Sequence, residues 1–323
     1  MSSRNPWLLT AGLILLTAAV LTAAHWPVFP YFLDSYYHLA LAREIAHHGV
    51  PDQLPWARFS PASERFGDPT LLFHFVLAPF AARADAERSA VVALAVFDAA
   101  IFALLAAFAT AAIGRWGALL PVVVFLGSTE ALFRLVRLRP ELLALLLLLS
   151  AAWLAGRGAY RWLGGVAFVF ALSYGAVHAF AGFAVGTFLL CGWRARRWDL
   201  ALPAYAFAGL GLGLLAHPQF PANLNSLVDI FRVGLGGSAA QGSGQELGPH
   251  STVVALFTQL GCWLAAGVAW LARCPGDPAR EEDGRTRDAL LVFAVGFLFL
   301  YALSARFVVF ALPFSGLALL WSL

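Results

Sequence analysis

Apolar runs follow one another along most of the chain, separated by short stretches that carry charge, proline or glycine. The first, at residues 7–24, is long enough to cross a bilayer, and we expect an uncleaved span there rather than a signal peptide. Further spans are expected at 89–113, 117–133, 141–156, 200–216, 252–272, 289–303 and 307–321. The pattern lacks the alternating segments of a β-barrel and predicts an all-α integral membrane protein, a polytopic helical bundle of about nine or ten spans.

Two apolar stretches do not have the length of one ordinary span. Residues 70–82, TLLFHFVLAPFAA, are too few to cross comfortably, so we expect a helix at the interface or one dipping into the membrane from the outer side. Residues 163–192 are too many, and their polar midpoint around His178 favours two short helices that meet there. In an alternative topology, each of these two stretches is a single true span.

Two long polar segments, residues 25–69 and 217–251, are expected to be outer loops of a single transmembrane domain that covers residues 1–323. The first contains LDSYYHLALAREIAHHG, which predicts an amphipathic helix. Asp34 is a favoured N-cap, Gly49 is typical of the position after a helix end, and Pro51 prevents continuation. The charged segment 273–288 is expected to be a cytoplasmic loop.

Arg4 precedes the first span and puts the N-terminus in the cytoplasm, which decides the side of each later loop. We expect the membrane itself to be a bacterial-type inner membrane. Both long loops, the segment RLRPE and Arg306 then lie outside. The alternative topology moves RLRPE to the cytoplasmic side, and the count of arginines on each side slightly prefers that alternative.

Composition agrees with a membrane protein, since 61% of the residues are hydrophobic and only 12% are charged. The net charge is +3, and the arginines are spread along the chain, which gives no case for binding nucleic acid. The three cysteines have no CxxC spacing and imply neither a disulfide framework nor a metal site.

Titratable residues gather in the parts expected outside. Asp34 and His38 are four residues apart and share one helix face, where the carboxylate could act as a general base or bind a divalent cation. Glu141 follows Pro140 at a helix start, which is also ordinary helix-start chemistry. Arg137 and Arg139 suit a phosphate or anchor the chain at the headgroups.

Six more residues are candidates for binding substrate. His178 lies at the centre of an apolar run, where either a polar neighbour satisfies it or it lines a cavity. Arg306, between two spans, needs an anionic partner or water. The others, in or beside the two long loops, are Asp68, His74, His217 and Glu246.

These residues are arranged in a way that resembles the GT-C glycosyltransferases, which include oligosaccharyltransferase catalytic subunits, protein O-mannosyltransferases and lipid A aminoarabinose transferases. LDSYYH, with Asp34, resembles their aspartate of the first outer loop. RLRPE, with Glu141, resembles their second acidic residue, and SARF, with Arg306, their late arginine-phenylalanine element. The resemblance places residues 70–82 in the outer-loop region and so favours the first topology.

The resemblance implies an inverting transfer of sugar from a polyprenyl-phosphate-type lipid donor to an acceptor of unknown identity outside the membrane. Asp34 is then the catalytic base, with arginines stabilising the departing phosphate. Mg²⁺ or Mn²⁺ held by Asp34 and Glu141 is a further expectation. Two alternatives stay open: a transporter or lipid-handling permease with His178 and Arg306 along its path, and a membrane scaffold without activity.

Overall fold

The computed structural model describes residues 33–234, except 55, 57–62, 64–65, 84 and 127, and residues 281–322. The expected spans at 7–24 and 252–272, and Glu246, lie outside the described residues. The described part is helical and contains no β-strand.

Two short 3₁₀ helices, Gly114–Leu119 and Ala305–Phe307, join longer α-helices in this part of the chain. The α-helices of the described residues are α1 (Leu33–His48), α2 (Leu71–Ala81), α3 (Ala86–Ile113), α4 (Leu120–Leu126), α5 (Thr129–Leu135), α6 (Pro140–Gly156), α7 (Tyr160–Ser173), α8 (Val177–Ala195), α9 (Ala201–Leu215), α10 (Ala222–Gly234), α11 (Glu281–Leu303) and α12 (Val308–Leu320).

Three of these helices contain segments that are long and apolar enough to cross a membrane: Arg88–Ile113 in α3, Val177–Ala195 in α8 and Gly284–Leu303 in α11. Five shorter apolar helices, α2, α6, α7, α9 and α12, accompany them. Their length and composition indicate a membrane protein.

The centre of the bundle is aromatic and closely packed. α11 and α12 form a hairpin in which Phe293 stacks on Phe314 with ring centroids 4.4 Å apart, and Phe297 stacks on Phe310 at 4.8 Å. α6 runs antiparallel to α11, and Gly156 at its end lies directly against Thr286. α6 therefore connects two opposite ends of the bundle, about 25 Å apart for its length.

One of these ends, the arginine-rich end, is where α6, α7, α8 and α11 meet. The Tyr160 hydroxyl donates to Asp199 Oδ2 at 2.8 Å, and Arg194 forms an ion pair with Asp288. The segments that meet here carry Arg157, Arg161, Arg194, Arg196, Arg197, Arg285 and Arg287. Exposed tryptophans on α7, on α8 and just after α8 add the aromatic side chains typical of a membrane–water interface.

The two stretches of unusual length fold as the first topology requires. α2 has 11 residues, which span about 16 Å and cannot cross a hydrocarbon core of about 30 Å. The stretch 163–192 is divided between α7 and α8, with the break at 174–176. Because α7 begins and α8 ends at the arginine-rich end, the stretch 163–192 turns back on itself and is not one continuous helix.

Three local predictions are wrong. The expected span 117–133 is divided into a 3₁₀ turn, α4 and α5, because the Ser128 side chain accepts from the Ala131 amide at 3.3 Å and starts a new helix. The expected loop 273–288 is helical from Glu281 onwards. Asp34 is not the N-cap of α1 but lies in its first turn, since the helix begins at Leu33. The end of α1 at His48, before Gly49, is confirmed.

Candidate functional site

Three segments that are distant in sequence meet at the end of the bundle opposite the arginine-rich end. They are the start of α1, the turn between α5 and α6, and the 3₁₀ turn before α12. The buried Ser35 hydroxyl accepts from the Leu138 amide at 3.2 Å, which fixes the first segment to the second through the backbone. This contact puts LDSYYH and RLRPE on the same side of the bundle.

Four side chains from these segments form what we call the charged cluster: Asp34, Arg139, Glu141 and Arg306. Arg139 Nη2 pairs with Asp34 Oδ2, and its Nη1 lies 4.0 Å from Glu141 Oε1. Arg306 Nη2 donates to the same Glu141 oxygen at 3.1 Å. Negative and positive charges thus alternate along the cluster, which offsets the cost of removing each from water.

Exposure changes along the charged cluster. The side chains of Arg139 and Glu141 are 10% and 7% exposed, whereas those of Asp34 and Arg306 are 50% and 32% exposed. The side chains of Arg139 and Glu141 are therefore closed to solvent, whereas those of Asp34 and Arg306 are accessible to a ligand.

The local sequence explains the position of the inner pair. Pro140 occupies the first turn of α6, where its missing amide costs nothing, and it keeps Arg139 extended with φ −136° and ψ 156°. Glu141 then lies in the first turn of α6, where the helix dipole favours a carboxylate. The extended Arg139 therefore points towards α1, while Glu141 lies in the first turn of α6.

A second group, the histidine relay, consists of Asp68, His74 and His38. His74 Nδ1 donates to Asp68 Oδ2 at 2.6 Å, and His74 Nε2 lies 2.8 Å from His38 Nδ1, so one proton is shared between the two rings. Asp68 and His74 are fully buried, whereas His38 is partly exposed. The relay therefore runs from the interior to the face of α1 that also carries Asp34.

Asp68 is fixed from several sides. Its Oδ1 accepts from the amide and the hydroxyl of Thr70 at 2.9 and 3.0 Å. Its backbone amide donates to Gln219 Oε1 at 2.8 Å, and His217 Nε2 donates to its carbonyl at 2.9 Å. Burial opposes ionisation, but the charge of His74 and the hydrogen bonds from His74 and Thr70 hold the pKa of Asp68 below its usual range.

The same surroundings lower the pKa values of the His38 and His217 imidazoles. Burial is the main cause that lowers the pKa of His38, and the neighbouring His74 lowers it further, against the opposing charges of Glu141 and Asp68. Burial also lowers the pKa of His217, whose bond to the Asp68 carbonyl acts in the opposite direction. His38 and His217 are therefore neutral at pH 7.

Not every predicted site residue joins these groups. His217 contacts the backbone of Asp68, so it holds the relay in place from the second long loop. Arg137 lies outside the charged cluster, with its guanidinium 4.0 Å above the Phe133 ring. His178 lies in the first turn of α8, where it is exposed, and it belongs to neither group. Glu246 is outside the described residues.

Several residues that hold the site together were not identified from the sequence. Ser35, Thr70 and Gln219 fix the backbone around the two groups, and nothing in their spacing indicates these contacts. Arg306 also hydrogen-bonds the buried Tyr174. Tyr174 was part of the polar midpoint of 163–192, which is the one signal that pointed to it.

The expected divalent cation depends on Asp34 and Glu141, and a guanidinium lies between these two carboxylates. Within the residues that the structure describes, no group of three or more histidine, cysteine, aspartate or glutamate side chains could hold a metal ion. A cation at this place would have to displace Arg139, so the donor set does not fit one.

Comparison with protein-family models, curated proteins and solved structures found no match for this chain.

Proposed function

We propose that the chain is a GT-C-type membrane glycosyltransferase that moves a sugar from a polyprenyl-phosphate-type lipid to an acceptor at the non-cytoplasmic face. The observation that carries the proposal is the charged cluster. It joins the three short segments on which the resemblance depends, LDSYYH, RLRPE and SARF, through the contacts of Arg139 and Arg306 with Asp34 and Glu141. These segments are more than 100 residues apart in the chain, as the contact of Ser35 with Leu138 illustrates at a separation of 103.

The reaction makes two demands on the protein. The acceptor oxygen attacks the anomeric carbon, and the bond from that carbon to the phosphate breaks, leaving negative charge on the phosphate. Arg306 is the partly exposed cation of the charged cluster, and Glu141 and Tyr174 hold it in position. A guanidinium oriented in advance stabilises charge that grows in the transition state, and it binds phosphate with two parallel hydrogen bonds.

The second demand is a group that takes the proton of the acceptor hydroxyl. Two residues of α1 meet the requirement of exposure on the face of the charged cluster, Asp34 and His38. The sequence predicts Asp34 for this role. Its Oδ2 is engaged by Arg139, and half of its side chain is exposed, so it can at least accept a hydrogen bond from the acceptor.

The arrangement of charges also suggests a sidedness. The arginine-rich end is the natural cytoplasmic side of an inner-membrane protein, and the charged cluster is at the other end of α6. A site on the outer leaflet suits a donor whose sugar has already crossed the membrane on its lipid.

The experiment is a transfer assay with the full-length protein in liposomes. The donors are a panel of short-chain polyprenyl-phosphate hexoses, the acceptor is water or an added alkyl glycoside, and the readout is release of polyprenyl phosphate. Release from at least one donor supports the proposal. If no donor is turned over while the same vesicles move a solute, the alternative of a transporter is correct.

A further inference from the structure

The histidine relay ends on the same face of α1 as Asp34, one helical turn away. Its inner members are inaccessible, since Asp68 and His74 are 1% and 0% exposed. His38 is therefore the one member of the relay through which it can reach a substrate.

The positions of the protons follow from Asp68 outwards. An ionised carboxylate can only accept, so the 2.6 Å contact is a hydrogen bond from His74 Nδ1. The 2.8 Å contact between His74 Nε2 and His38 Nδ1 holds one proton, and when this proton is on His38, His74 Nε2 accepts the hydrogen bond. His38 then carries its proton on Nδ1, and its Nε2 has a lone pair.

The surroundings keep His38 neutral and oriented. Tyr37 on α1 and Phe73 on α2 pack edge-on against its ring, with centroids 5.2 and 5.4 Å away. The titratable groups that face it are Asp68, His74 and Glu141. By contrast, Asp34 Oδ2 is occupied by its ion pair with Arg139.

We infer that His38 Nε2 is the catalytic base of the site and that Asp68 and His74 are positioning residues. The inference deepens the proposed glycosyl transfer and rests on it. When the acceptor oxygen bonds to the anomeric carbon, its proton moves to His38 Nε2, and the electron pair of the broken carbon–oxygen bond leaves with the phosphate. The Nδ1 proton of His38 passes to His74 Nε2. The positive charge then lies on the buried His74 ring beside the Asp68 carboxylate, and His38 remains neutral.

The first test does not depend on activity. Nitrogen NMR of the full-length protein labelled with ¹⁵N-histidine reports whether each ring nitrogen is protonated, and a His38→Gln sample assigns the signal. At pH 7 the expected result is an unprotonated His38 Nε2 and a protonated Nδ1. The opposite pattern, with Nε2 protonated, makes His38 a donor and overturns the inference.

The second test compares variants in the liposome assay with polyprenyl-phosphate hexoses. His38→Gln is expected to lower the rate about 100-fold or more, the usual contribution of a general base. The matched control is His47→Gln, an exposed histidine on the same helix, which is expected to leave the rate unchanged. The wild-type rate is expected to fall with pH only below 6.5, the ordinary pKa of histidine, because the pKa of His38 is lowered. This acid limb should disappear in His38→Gln.

Substitutions of the positioning residues Asp68 and His74 are expected to change the rate and its pH dependence in different ways. Asp68→Asn removes the charge that stabilises the protonated relay, so the acid limb should move to lower pH and the rate should fall. His74→Gln is expected to lower the rate as much as His38→Gln does, although His38 is still present. If His38→Gln keeps the wild-type rate and pH dependence, His38 is not the base, and the proposed function is unaffected. If the wild-type protein turns over no donor, the proposed function itself is contradicted.

Discussion

At the scale of single residues, Glu141 holds two guanidinium groups at once. Its Oε1 lies 3.1 Å from Arg306 and 4.0 Å from Arg139, and the charge of the buried Arg134 reaches it as well. Because Arg139 and Glu141 are almost fully buried, each depends on the other to offset its desolvation.

Replacing Glu141 by glutamine is therefore expected to be costly. Removing one partner of a buried ion pair leaves an uncompensated charge, so the free energy of unfolding should fall by about 3 kcal/mol. The measurement is chemical denaturation in detergent micelles. The control is Glu44→Gln, which removes only an i,i+4 contact with the exposed His48 and should cost less than about 0.5 kcal/mol. Equal losses in the two variants would show that Glu141 is not an anchor.

Asp68 makes stability depend on pH. Because its folded pKa lies below the ordinary value of 3.8, its contribution to stability is complete above that pH and is lost as the pH falls towards the folded pKa. The wild-type melting temperature should therefore drop below about pH 4, and that drop should be smaller in Asp68→Asn. A pH series of thermal melts measures both. If the two proteins lost stability in parallel with pH, the buried carboxylate would not be the cause.

At the scale of elements, the sequence predicts most of the described helices and fails where local contacts decide. The positions of α3, α6 and α9, and the division of 163–192, follow from apolar length and from the polar midpoint. The break inside 117–133 depends on the Ser128 cap, which a run of apolar residues conceals. The charged residues 281–288 have the pattern of a loop, although they form the start of α11, where Arg194 on α8 pairs with Asp288.

The candidate site was predictable only in part for the same reason. Asp34, Arg139, Glu141 and Arg306 could be chosen by residue type and by the expected side of the membrane. Their pairing could not, because it depends on how α1 docks on the turn before α6. His38 and His74 were identified as candidates, yet the 2.8 Å contact between rings 36 residues apart is not visible in any sequence pattern.

The contact between α6 and α11 provides a test of helix packing. A methyl group at Gly156 would lie 2.1 Å from Thr286 Oγ1 and 2.7 Å from its Cα, so Gly156→Ala must push the two helices apart. Such overpacking is expected to cost about 1–3 kcal/mol. The matched control is Gly165→Ala on α7, where nothing lies within 4 Å, and this variant should be neutral or more stable. The measurement is unfolding in micelles, and a neutral Gly156→Ala would contradict the close approach.

At the scale of the whole molecule, the two ends of the bundle have different chemistry. The arginine-rich end joins the ends of α6 and α8 to the starts of α7 and α11. The opposite end holds the charged cluster and the histidine relay. A protein that uses a lipid-linked donor outside the cytoplasm must keep these two ends on opposite sides of the membrane.

Single cysteines test this sidedness. His48→Cys, at the exposed end of α1, should react with a membrane-impermeant maleimide only from the outer side of the membrane. Arg197→Cys, in the exposed turn after α8, should react only from the cytoplasmic side. The experiment compares intact cells with inverted vesicles after the native cysteines have been replaced. Labelling of both positions from one side would contradict the topology.

The central claim is that the charged cluster stabilises a departing phosphate, and Arg306→Gln in the liposome assay tests it most directly. Arg157→Gln is the matched control, since Arg157 lies at the arginine-rich end with its guanidinium 4.6 Å above the Trp153 ring. Loss of one group that stabilises transition-state charge is expected to slow release of polyprenyl phosphate about 100-fold, while Arg157→Gln leaves the rate unchanged. A folded Arg306→Gln protein that releases polyprenyl phosphate at the wild-type rate would contradict the account.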